Sequence, residues 1–91
     1  MKKNQLIDTY NLAVQFGRKY IGVRIETTDG EGAAYSIHLC KGVSKNMARW
    51  LREYDDNMIL KRNSNIRITC AAAADTMEEV KELLEAQYDN N

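Results

Sequence analysis

Residues 21 to 40, IGVRIETTDGEGAAYSIHLC, alternate apolar and polar side chains on both sides of a glycine-rich turn. This is the strongest constraint in the chain, because a two-residue period interrupted by a turn reads as a β-hairpin. Ile21, Val23, Ile25 and Thr27 share one face of the first strand, and Ala33, Tyr35, Ile37 and Leu39 share one face of the return strand. Asp29-Gly30 is a favoured two-residue turn. Parity excludes it if both apolar sets lie on the same face, since it sets Ile25 opposite Ala34. Register follows the buried face. The expectation is therefore a three-residue loop, Gly30-Glu31-Gly32, with Gly32 left-handed, Ile25 opposite Ile37 and Val23 opposite Leu39. The outer face would then place Arg24 beside His38, Glu26 beside Ser36 and Gly22 beside Cys40.

Helical periodicity flanks the hairpin. Across residues 4 to 17, Leu6, Ile7, Tyr10, Ala13 and Val14 fall on one face of a helix that Gly17 would stop. Leu12 and Phe16 widen the apolar arc beyond what a sheet face needs, so they are expected against the C-terminal helix, or else against a partner. Ser44 is a good N-cap for a helix over 45 to 54. Its apolar stripe is Val43, Met47, Trp50, Leu51 and Tyr54, and Lys45, Arg49 and Arg52 stand opposite. MILKRNSNIRITC reads as a second hairpin with an Asn63-Ser64-Asn65 loop, pairing Leu60 with Ile68 and Met58 with Cys70. Ala71 to Ala74 would lead into a last helix over 76 to 88, where Thr76 and Glu79 fit a capping box. Met77, Val80, Leu83, Leu84 and Tyr88 face inward there, and Glu78, Glu82, Glu85 and Asp89 form an acidic outer stripe.

The predicted fold class is α+β, in the order helix, hairpin, helix, hairpin, helix. One antiparallel sheet of about four strands with the helices packed on one face buries all the apolar sets most simply. Ninety-one residues make one domain with a modest core, spanning 1 to 91. No apolar run approaches the roughly 20 residues that cross a bilayer. MKKNQLIDTY lacks the apolar centre of a signal peptide. Cys40 and Cys70, without a CxxC pattern, are expected as reduced thiols, and the expected compartment is cytoplasmic, with no membrane partner.

Net charge is zero, which argues against a whole-body polyanion binder, but the charge is unevenly spread. Residues 41 to 74 hold seven basic and three acidic side chains, and residues 75 to 91 hold six acidic side chains against Lys81. The stripe of Lys45, Arg49 and Arg52 has the spacing to touch phosphates, but the aromatic platform of a single-strand binder is missing if Tyr35 points inward. His38 is the only histidine. Its pairing with Cys40 is the one couple that could hold a metal or activate a thiol, and an exposed histidine with no catalytic role is the simpler expectation. The DGEG run joins two strands and does not open a helix, so it is read as a turn and not as a phosphate loop. No catalytic residues, metal site or cofactor are expected, and the chain is not expected to be an enzyme. The candidate binding residues are Lys45, Arg49, Arg52, Glu78, Glu82, Glu85, Arg24 and His38.

The runs QLIDTYNLAVQFGRKYIGVRIET, YDDNMIL and IRITC resemble small uncharacterised proteins of Firmicute bacteria and their phages. The resemblance implies a small accessory protein of phage or mobile-element origin, one that binds a host factor such as a defence nuclease. No site residue carries over from it. The expected function is a non-catalytic module engaging a protein partner. The alternative is a nucleic-acid-binding accessory that uses the basic stripe.

Overall fold

The computed structural model describes residues 1–42 and 44–89. The elements run α1 (Lys3–Gln15), β1 (Tyr20–Thr27), β2 (Ala33–Leu39), a short 3-10 turn (Cys40–Gly42), α2 (Ser44–Glu53), β3 (Ile66–Ala74) and α3 (Met77–Asp89). Val43 and the side chains of Ser44, Tyr88 and Asp89, which the sequence assigns to stripes and a cap, lie outside the described residues. Gly17 ends α1 as expected. It takes a left-handed φ of 66°, and the Arg18 N–H reaches back to the Ala13 carbonyl at 2.9 Å. Thr76 caps α3 by accepting the Glu79 N–H at 3.1 Å.

The sheet has three antiparallel strands in the order β2-β1-β3, not about four. The missing strand is Met58-Ile59-Leu60. Met58 is a fully buried methionine with φ of 59°, and an extended run cannot pass through that conformation. The segment still lies beside the start of β3. The Leu60 N–H donates to Ile66 at 2.8 Å and the Ile68 N–H donates to Met58 at 2.9 Å. Ile59 therefore faces Arg67, two positions away in register from the predicted pairing of Leu60 with Ile68.

The helices cover both faces of the sheet and not one. Leu6 of α1 with Met47 and Trp50 of α2 packs on Ile21, Val23, Ile68 and Ala71. Val80 and Leu84 of α3 pack on Cys70, Ala72 and Ala74, with Tyr35 and Ile37 beside them. Two buried faces remove the reason for placing both apolar sets of the hairpin together. The register is Ile21 opposite His38, Val23 opposite Ser36 and Ile25 opposite Ala34, the parity that the one-face argument excludes. The turn closes where the Thr27 N–H meets the Gly32 carbonyl at 2.9 Å, leaving four residues in the loop. Gly30, with φ of 79°, holds the left-handed position assigned to Gly32.

Ala71 to Ala74 belong to β3 and not to a lead-in. Alanine is a poor strand former on its own. Here the small side chains let α1 and α3 come close on opposite faces, and packing decides. A bulge at Thr69 falls where Arg24 pairs with Cys70 and the next residue, Ile25, pairs with Ile68.

Candidate functional site

The first concave surface lies between β2, an outer strand, and α2. Ser36 and His38 are two apart on β2 and so share its α2-facing side. The Ser36 hydroxyl and His38 Nε2 are 2.7 Å apart. The imidazole sits 5.7 Å, centre to centre and tilted 54°, from the buried Trp50 ring. Arg49 and Glu53 of α2, Tyr54 and Arg62 complete a cleft of about 220 Å³. Arg49 Nε donates to Glu53 across one helical turn at 3.3 Å. Burial pushes the Tyr54 hydroxyl up and Glu53 adds to this, while Arg49 and Arg62 both pull it down. Two guanidinium groups from different elements therefore act on one hydroxyl.

The second surface is a groove of about 280 Å³ along the outer side of β3, between α1 and α3. Its floor is Ala71 to Ala73, and its rims set Leu12, Phe16 and Leu83 among Thr9, Arg18 and Gln87. Leu12 is 52 %, Phe16 64 % and Leu83 43 % exposed. The expected contact of Leu12 and Phe16 with the C-terminal helix is therefore incomplete. The two helices flank β3 from opposite faces, and these apolar side chains stay open to solvent between them.

The predicted binding residues separate. His38 and Arg49 meet in the cleft. Arg24 is opposite Tyr35, not His38, on the face that α3 covers, and Glu26 is opposite Ala33, not Ser36. Gly22 faces Ile37 and not Cys40. Arg24 donates to the Tyr35 hydroxyl and lies 5.3 Å from its ring centre. Lys45 and Arg52 are exposed on α2, and Glu78, Glu82 and Glu85 are exposed on α3, so the basic and acidic stripes flank opposite faces of the sheet. The predicted pairing of His38 with Cys40 gives way to Ser36, because Cys40 lies in the turn after β2 and packs against the core. Ser36 and Tyr54 escape sequence reasoning as site residues, and Arg62, one of the seven basic side chains of residues 41 to 74, reads there only as an extension of the basic stripe. No local motif marks them, and only register and chain reversal bring them together.

Chemically, the cleft is rich in donors and holds one carboxylate. Cys40 and Cys70 are free thiols, and burial pushes both above the ordinary range, which lowers their thiolate population and reactivity. Among the described residues no group of three or more His, Cys, Asp or Glu side chains is placed to hold a metal ion. Among the same residues no helix is long and apolar enough to cross a membrane.

These features define a small three-layer α+β fold that carries a polar cleft beside α2 and an apolar-rimmed groove beside β3. Comparison with protein-family models, with curated proteins and with solved structures found no match to the chain.

Proposed function

We propose that this protein is a non-catalytic binding module whose partner is another protein, engaged through the groove between α1 and α3. The observation that carries the reading is the open apolar rim of Leu12, Phe16 and Leu83 over a floor of alanines. Large apolar side chains clustered at a groove are the usual anchoring points of protein interfaces. A partner that inserts an apolar or aromatic side chain between the rims gains burial on both sides. A host factor met by a phage or mobile-element accessory, a defence nuclease among them, is the class of partner that fits the sequence resemblance. The test is capture of a defined partner by the tagged, nuclease-treated protein, compared with Leu12→Asp and Leu83→Asp variants. Loss of capture with an unchanged circular dichroism spectrum supports the reading, and capture equal in all three proteins overturns it.

A second reading is nucleic-acid binding by α2, favoured by the exposure of both Lys45 and Arg52 on one helix. It predicts retention on heparin that fades steeply with salt and that Arg52→Glu reduces.

A further inference from the structure

The cleft between β2 and α2 lies apart from the apolar groove and has different chemistry. Its donors come from three places in the chain: Ser36 and His38 on β2, Asn46 and Arg49 on α2, and Arg62 after Leu60. The 2.7 Å bond between Ser36 and His38 Nε2 uses one donor proton, and in either direction it leaves a further donor on the pair, the Ser36 O–H or the opposite ring N–H. Arg49 uses Nε on Glu53 and keeps its terminal N–H groups. Among the described residues no carboxylate lies within ion-pair distance of Arg62. The cleft therefore holds two guanidinium groups against one carboxylate. At about 220 Å³ it is smaller than the pockets that enclose drug-sized ligands, and it suits a compact polyatomic anion.

We propose that this cleft binds the phosphate group of a small phosphorylated ligand, with Arg62 and Arg49 holding its oxygens and the Ser36–His38 pair donating a further hydrogen bond. Planar guanidinium groups match phosphate oxygens with paired, charge-assisted hydrogen bonds. Both arginines line the same cavity as the Ser36–His38 pair. The inference does not depend on the partner-binding reading, because the groove along β3 shares no residue with the cleft.

The test is titration of the full chain with inorganic phosphate and with pyrophosphate at constant ionic strength. Binding is followed by calorimetry and by the His38 ring proton resonances. Saturable one-site binding that shifts the His38 resonances is expected. Arg62→Gln and Arg49→Gln should each weaken it about tenfold, the loss of one charge-assisted contact. Lys81→Gln on α3 should leave it unchanged. A single-stranded oligonucleotide forms the second arm. Absence of saturable phosphate or pyrophosphate binding overturns the proposal, as does binding equal in wild type and both arginine variants. Binding of the oligonucleotide alone, steep in salt and unchanged by Arg62→Gln, overturns it in favour of the α2 stripe.

Discussion

Arg24 and Glu26 stand two residues apart on the central strand, on the face that α3 covers, with Arg24 Nε 3.5 Å from Glu26 Oε2. The Glu26 side chain is 4 % exposed and that of Arg24 13 %. A buried ion pair is weak in its net effect, because desolvation offsets attraction, but removing one partner strands the other charge. Arg24→Met should therefore destabilise the fold by about 3 kcal/mol or more. Arg24→Met combined with Glu26→Leu should recover most of that loss. Urea unfolding of the four proteins in the double-mutant cycle measures it. A double variant as unstable as the single one would show that the pair does not act as a unit.

Gly22 sits at the centre of β1 where α3 crosses. A Cβ there would lie 2.8 Å from Val80 Cγ1, 2.9 Å from Ile37 Cγ1 and 3.2 Å from the Ser36 carbonyl oxygen. The first two atoms are core side chains and the third is backbone, so relief requires shifting packed groups. Gly22→Ala should cost about 1–3 kcal/mol, the usual range for overpacking. Val80→Ala placed on that background should cost less than Val80→Ala alone. Thermal unfolding of the three variants decides the point.

Gly22 also shows what the sequence carried and what it hid. A glycine inside a strand marks close approach of another element, and it was the local sign that the second face of β1 is packed. The alternation of the hairpin was legible, as were Gly17 as a stop and Thr76 as a cap, because each depends on a few neighbouring residues. Register was not legible. It depends on how many faces are buried, and a chain reading polar at Arg24 and Glu26 gives no warning that both lie under a helix. Ala71 to Ala74 read as a lead-in because alanine has little strand preference, and only the packing of α1 and α3 assigns them. Of the cleft, His38 and Arg49 stood out as polar groups beside apolar stripes. Ser36, Tyr54 and Arg62 join them only through tertiary contacts.

The hairpin turn gives a third expectation. Gly30 has φ of 79° with open space around its missing Cβ, so a side chain there is strained by backbone and not by contact. At Gly32 no left-handed φ is required, and a Cβ would meet Thr27 Cγ2 at 3.3 Å, so the methyl need give only a few tenths of an ångström. Gly30→Ala should cost about 1 kcal/mol, and Gly32→Ala should cost less. Melting temperatures of the two variants, taken side by side, test it, and the reverse order would return the left-handed position to Gly32.

The bend after α2 makes stability depend on acid. Asp55 Oδ1 accepts the N–H of Ile59 at 3.0 Å and that of Asn57 at 2.8 Å. These bonds favour the ionised form, the Ile59 contact most, and hold the carboxyl below its ordinary value of 3.8. The Thr27 hydroxyl and the Glu31 N–H do the same for Asp29. A carboxyl whose value is lower in the folded state binds fewer protons there than in the unfolded chain. Its contribution is fully present above the unfolded value and is lost as pH falls through the folded one. The contribution of these two carboxyls should therefore be constant above about pH 5 and decline below about pH 4. Asp55→Asn keeps an oxygen that can accept both N–H groups but removes the titration. It should lower stability at neutral pH and flatten the acid decline. Urea midpoints collected from pH 7 down to about pH 2.5 would show this, and an acid decline of undiminished slope in Asp55→Asn would exclude Asp55 as a source of it.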